Sequence, residues 1–194
     1  AAAPEMRRPR GKLLAFVSGK GGSGATFLAA NLGYAVAAEC HKKVLLIDLN
    51  LQYGDASFFL TDKDNLMSVA DVARQIERLD ATFLASAAVD LLPNFALLAA
   101  PEDAERAVGV TAEQIERLLE VAVQNYDYVI VDIERSIDAL AMKVLDRADL
   151  IYLVTEAMLP FVRDAKRLLH AFRQLGYRSE KIRLVVNRLE KDVG

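Results

Sequence analysis

Cysteine is nearly absent from this chain: Cys40 stands alone among 194 residues. No internal disulfide and no multi-cysteine metal site can form, which fits a reducing cytoplasm and leaves Cys40 no role beyond packing. The two histidines, His41 and His170, fall in polar surroundings without partners at metal-ligand spacing, and both read as surface residues. No apolar run is long enough to span a bilayer, and the opening residues lack the apolar core of a signal peptide. Excess positive charge is missing too. The formal charge of −3 argues against a general nucleic-acid binder. The basic group Arg7, Arg8 and Arg10 lies in a proline-containing leader without periodicity and reads as a solvated linker. No internal repeat is visible.

What is present is 53% hydrophobic residues in short runs, enough for one α/β domain with a substantial core. Strand-like runs at 13–17, 44–47, 96–99, 128–131, 150–154 and 182–186 are mostly continuous and rich in Val, Ile and Leu. Strands buried on both faces read this way, so the sheet is expected to be mainly parallel with helices on both faces, in three layers. Helical patterns fill the gaps at 26–39, 66–74, 81–88, 111–125, 137–146 and 161–175, the last stopped by Gly176. Residues 1–11 are expected to be an interdomain linker and 12–194 one α/β domain, a piece cut from something longer, its C-terminal end open to truncation.

The stretch Ser18-Gly19-Lys20-Gly21-Gly22-Ser23-Gly24-Ala25-Thr26 joins a buried strand to a helix. Backbone N–H groups freed of side-chain bulk by Gly21, Gly22 and Gly24 would point inward there, reinforced by the positive end of the helix dipole. An anion belongs in such a loop. The usual phosphate loop, G-x-x-x-x-G-K-[ST], places a lysine on the terminal phosphates and a hydroxyl on Mg²⁺. Here Gly24 is followed by Ala25 and then Thr26, so the hydroxyl is kept and the lysine is lost.

In an open parallel sheet ligands sit at the carboxyl ends of the strands. Asp48 and Asp132 each close a strand-like run, and Asp55 lies just beyond the first. A carboxylate beside a phosphate loop can hold Mg²⁺ directly or through water, with Thr26 as hydroxyl ligand. Any one of these acids could equally be a cap or turn former; the loop, Asp48 and Asp132 together point to the metal.

The segment 20–24 resembles the deviant phosphate loop of the MinD/ParA ATPases, within the SIMIBI branch of phosphate-loop NTPases. Asp48-Leu49-Asn50-Leu51-Gln52-Tyr53-Gly54-Asp55, Ala99-Ala100-Pro101-Glu102-Asp103 and Arg135-Ser136-Ile137-Asp138 resemble the CpaE/TadZ pilus-assembly proteins within it. The similarity runs over about residues 12–187. It implies a cytoplasmic homodimer around ATP and Mg²⁺, at the cell pole or inner-membrane face, that positions type IVb (Flp) pilus components. Membrane association would be peripheral or through partners. Carried over residue by residue, Lys20 is the signature lysine that reaches the partner's nucleotide and, with Asp48, the catalytic pair. Gly19 to Ala25 form the cradle and Thr26 binds Mg²⁺. Asp48 and Asp132 are its outer carboxylates, and Asn187 with Arg188 stands at the adenine-recognising position.

Three residues depart from that pattern. Ala25 removes a charge-assisted phosphate contact of about 1.5–3 kcal/mol. Asn50 replaces a second aspartate that helps position the attacking water, and an amide is a far poorer base. Glu134 replaces a proline. Weakened binding and slow or absent hydrolysis follow. A slow MinD-like ATPase cycling between monomer and dimer is the alternative, favoured by Lys20 and opposed by Ala25 and Asn50. An ATP-dependent carboxylate-activating ligase would need a second substrate-binding set, which the sequence does not show. The paired cysteines of an iron protein and the terminal tyrosine cluster of an autokinase are both missing.

Overall fold

The computed structural model describes residues 9–189. The leader positions 1–8, with Arg7 and Arg8, lie outside the described residues. Arg10 is not simply solvated: it donates to the Arg147 carbonyl at 3.0 Å and lies 3.8 Å from Asp149.

Seven strands are ordered β3-β4-β2-β5-β1-β6-β7. In chain order the elements are β1 (Lys12–Ser18), α1 (Ala25–Cys40), β2 (Val44–Leu49), α2 (Ala56–Leu60), α3 (Val69–Arg74), α4 (Ala81–Ala87), β3 (Val89–Leu92) and β4 (Phe95–Leu98). There follow α5 (Ala104–Ala107), α6 (Ala112–Asn125), β5 (Tyr128–Ile133), α7 (Ala139–Arg147), β6 (Leu150–Glu156), α8 (Leu159–Gln174) and β7 (Ile182–Asn187). Every pairing is parallel except β3 with β4. The expected parallel, three-layer α/β domain with helices on both faces is what forms.

The central strands alternate between two cores. From β1, Leu13, Ala15 and Val17 join the cluster that includes Leu118 of α6, Val144 of α7 and Leu168 of α8. Leu14 and Phe16 join the opposite cluster beneath α1. This two-sided burial is why the strands read as unbroken apolar runs. Burying a leucine-sized side chain contributes about 1.5–3 kcal/mol, so the ladder of parallel strands is held from both faces.

Six of the seven strands lie where the periodicity predicts, within a residue or two. The seventh, β3, was not anticipated. It forms a hairpin with β4 through Pro93-Asn94, a turn signal between two short apolar runs that the helix-strand alternation masks. Helices α2 and α5, of five and four residues, are too short to leave a periodic pattern. Helix α8 starts at Leu159, earlier than expected, because Pro160 fits its first turn.

One expectation is corrected, and α1 packs through its small residues. The buried face of α1 is Ala25, Ala29, Ala30, Gly33 and Ala37, and the larger Leu28, Leu32 and Val36 only pack partly against the core. The sheet is close: a Cβ on Gly33 would lie 2.8 Å from the Phe95 ring. Cys40 is exposed at the end of that helix and does not pack.

Candidate functional site

The loop between β1 and α1 is built from internal bonds that leave its concave side free. The Gly19 N–H donates to the Val154 carbonyl at 2.6 Å, which extends the β1–β6 ladder by one rung, and the Ser23 N–H donates to the Lys20 carbonyl at 3.1 Å. The Ser18 hydroxyl donates to the Lys20 carbonyl at 2.6 Å and lies 2.7 Å from that of Ser23. Gly22 and Gly24 both take φ 86°, the left-handed region that glycine occupies without strain. At Gly24 space is also closed, since a Cβ there would come 2.5 Å from the Asn187 amide nitrogen. The first-turn N–H groups of α1 have no intrahelical acceptor and face this loop as a ready anion site.

Asn187 anchors the loop from the end of β7, its amide donating to the Ser23 carbonyl at 2.9 Å. Arg188 follows with φ 51°, and its guanidinium donates to the buried Glu156 carboxylate at 2.9 Å. Both residues thus reach the loop's flank by β7 pairing with β6. Ala25 opens α1 and is buried, 5% exposed, against the core below the loop. Its methyl is an apolar contact where the usual motif has a charge.

On the other side stand the acids. Strands β2 and β5 pair in parallel with Asp48 opposite Asp132, so two carboxylates share one level of the sheet. The Thr26 hydroxyl donates to Asp132 Oδ2 at 2.5 Å. Asp48 accepts the N–H of Asn50 at 3.0 Å on one oxygen and that of Ala56 at 3.1 Å on the other. The second bond requires close approach of the 50–56 loop: a Cβ on Gly54 would sit 2.7 Å from that same Asp48 oxygen.

Both acids are held above the usual carboxylate value. Burial pushes Asp132 up to about 7 from 3.8; the Thr26 hydroxyl opposes the shift and the charge of Asp48 adds to it. Burial pushes Asp48 up to about 6, opposed by the Ala56 and Asn50 N–H groups and aided by Asp55. A hydroxyl and two carboxylates form a hard, all-oxygen set of the type Mg²⁺ takes, and a cation there would offset the loss of hydration that raises both pKa values. The residues fit the ion. Among the described residues no group of three or more His, Cys, Asp or Glu side chains could hold a metal by itself, so Thr26, Asp48 and Asp132 would hold Mg²⁺ together with phosphate oxygens.

Asn50 is committed locally. Its amide donates to the Tyr53 carbonyl at 3.2 Å and its carbonyl accepts the Tyr53 N–H at 3.3 Å; an aspartate could make only the second bond. Glu134 follows β5, with its backbone carbonyl in a tight turn to the Ser136 N–H at 2.8 Å. Asp138 caps α7 through the Ala141 N–H at 2.8 Å.

Lys20 does not project freely. Its ammonium lies 3.6 Å from Asp164 of α8, and the Arg135 guanidinium lies 3.5 Å from the same oxygen. Sequence reasoning missed Asp164, although its signal is present: with Ala165, Leu168 and Phe172 it occupies the buried stripe of a helix whose other face carries Arg163, Lys166 and Arg167. An acid within an apolar stripe needs a cationic partner.

A family model described as an AAA domain matches residues 11–184. The septum site-determining protein MinD of Synechocystis sp. is 31% identical over 185 residues, covering 94% of this chain and 66% of that protein. The chain spans just under two thirds of the length of such curated relatives. Among solved structures, a ParA family ATPase from Chlorobium tepidum TLS superposes with TM-score 0.88 at 30% identity, over 93% of this chain and 75% of that one. MinD from Pyrococcus horikoshii OT3, complexed with Mg-ADP, shares the fold with TM-score 0.75 at 23% identity, over 94% of this chain and 74% of that one.

Proposed function

The chain belongs to the MinD/ParA family of AAA domains, and from that premise we propose that it binds an adenine nucleotide with Mg²⁺ in the 18–26 loop and dimerises around it. The observation that carries this reading is the Thr26–Asp132 bond at 2.5 Å. It links the hydroxyl of the phosphate loop to a carboxylate on the neighbouring strand, where a magnesium ion bound to phosphate is served by both. The Mg-ADP bound by the Pyrococcus horikoshii relative supports the same assignment. Bound Mg²⁺ would supply charge neutralisation of the terminal phosphates.

Dimerisation is supported by apolar side chains on both sides of the loop. Tyr53 and Phe58 after β2 are 72% and 83% exposed, and Met158 and Leu159 after β6 are 56% and 83% exposed. These loops leave the carboxyl edge of the sheet, the edge that carries the phosphate loop, and a second copy would remove them from water.

Within the family, the CpaE/TadZ-like segments support a role as a nucleotide-dependent scaffold that localises Flp pilus components, with ATP serving mainly as structural glue. Ala25 and the locally committed Asn50 favour glue over turnover. The MinD-like alternative, a slow ATPase cycling between monomer and dimer, draws its support from Lys20. Nucleotide content after gentle purification with Mg²⁺ separates the two: intact ATP is the expected result, and ADP indicates turnover. Calorimetry tests the shared premise. Absence of adenine-nucleotide binding at millimolar concentration by the full chain would make the loop vestigial and remove ATP from the scaffold.

A further inference from the structure

We infer that Arg135 supplies the phosphate-binding cation that Ala25 leaves out, so that the positive charge reaches the nucleotide from the β5–α7 loop and not from the phosphate loop itself. This rests on the nucleotide-binding reading and adds a ligand to it. Four observations converge on Arg135.

The first is position. Strand β5 runs parallel beside β1 with Ile133 opposite Val17, so a residue two places past Ile133 emerges at the level of the loop's opening residues. Three residues earlier, within β5, Asp132 already touches Thr26. The second is the partner. Asp164 is buried, with its side chain 5% exposed, and one of its oxygens draws both Lys20 and Arg135, at 3.6 and 3.5 Å. Two cations attached to different loops are thereby gathered beside one another at the loop's edge.

The third observation is charge balance. The other Asp164 oxygen faces Arg163 at 3.7 Å and Arg167 at 3.6 Å. One carboxylate set against four cations leaves positive charge that a polyphosphate would complement. The fourth is looseness. All four separations exceed the 2.7–2.9 Å of a charge-assisted hydrogen bond, and the Arg135 side chain is 38% exposed. Its donors stand beside Lys20 at the loop's edge and are not consumed by Asp164. A guanidinium fork matches phosphate oxygens in pairs, and arginine in this loop can serve the phosphates without the buried anchorage that position 25 would impose on a lysine.

The test measures ATP, ADP and AMP affinity by calorimetry with Mg²⁺ for the wild type, Arg135→Gln and Arg135→Lys, each checked for an unchanged melting transition. The expected result is a loss of roughly tenfold to a hundredfold in ATP affinity for Arg135→Gln, an AMP affinity within about twofold of the wild type, and recovery of most of the loss in Arg135→Lys. An Arg135→Gln variant that binds ATP as the wild type does overturns the inference while leaving the nucleotide site standing. Equal losses for ATP and AMP overturn it too, since they mark a residue that only supports the fold. If Arg135→Gln does not fold, Arg135→Lys decides: ATP affinity reduced together with AMP affinity counts against a phosphate ligand. A wild type that binds no nucleotide sinks the premise itself.

Discussion

The phosphate loop lies between two buried carboxylates that differ in everything but burial. Asp132 is 3% exposed and Asp164 is 4% exposed. Asp132 faces a second acid across the β2–β5 pairing, and its pKa is pushed up to about 7. Asp164 faces Lys20, Arg135, Arg163 and Arg167. Burial alone therefore assigns no role to an acid; its neighbours do. One flank of the loop is short of positive charge and suits a metal ion, while the other has positive charge to spare and suits phosphate. A magnesium-nucleotide complex has that same polarity.

The largest expected effect is on the acidic flank. Asp132→Ala removes the acceptor of Thr26 and one of two metal-facing carboxylates, and Mg²⁺-dependent nucleotide binding should weaken by roughly a hundredfold, taking two charged contacts near the lower end of their range. Asp138→Ala, which removes the α7 cap and the acceptor of the Ser136 hydroxyl, should leave binding intact and lower stability by about 1 kcal/mol. Calorimetry and melting on both variants check this, and equal losses of binding would place the metal elsewhere.

On the cationic flank, Lys20→Ala should abolish ATP-dependent dimers while the melting temperature shifts by no more than about 2–4 °C. The pairing of Lys20 with Asp164 is loose at 3.6 Å, and the lysine is 40% exposed, so little native stability depends on it. Sedimentation with and without ATP gives the answer. Dimers that persist in the variant would break the assignment of Lys20 to the partner's nucleotide.

Moving charge into the loop sharpens the comparison further. Ala25→Lys should tighten nucleotide binding by roughly tenfold, the lower end expected for a charged hydrogen bond, because the new stem must leave a buried position. Phosphate release should stay slow, since Asn50 offers no carboxylate. Fast turnover in Ala25→Lys would point to Glu134 as the residue that orients water.

The smallest effect concerns pH without nucleotide. Asp132 and Asp48 titrate near 7 and 6 in the folded chain and near 3.8 when unfolded. The native state therefore binds protons more tightly than the unfolded chain between those values. The resulting stability is fully present below about pH 4 and is lost as pH rises toward about 7. The melting temperature of the nucleotide-free protein, read from pH 5 to 8 to stay clear of acid denaturation, should fall by a few degrees, and Asp132→Asn should flatten the slope. A flat wild-type profile would show that the two acids are better solvated than their burial indicates.

Much of this was legible in the residue order. Continuous Val-, Ile- and Leu-rich runs located six strands, five because they are buried on both faces and the half-exposed edge strand β7 through its apolar composition alone, and the glycine pattern located the anion loop because only glycine tolerates its backbone. Asp48 and Asp132 were marked by ending strands. The edge strand β3 escaped because a four-residue, half-buried strand lacks the continuous apolar signal. The small-residue face of α1 escaped because alanine and glycine carry little hydrophobic signal; close contact with the sheet selects small side chains. The tie of Asp164 to Lys20 and that of Asn187 to Ser23 escaped because each joins residues more than a hundred positions apart in sequence.

The sequence by itself determined which elements form and where an anion can be held, since periodicity and glycine placement act over a few residues through sterics and burial. Only the tertiary structure decided how charge is shared around that loop. Asp48 meets Asp132 through the register of two parallel strands, and Lys20 meets Arg135 through a carboxylate on a helix far along the chain. The electrostatic character of a group depends on distance and solvent access, and neither exists until the sheet has closed.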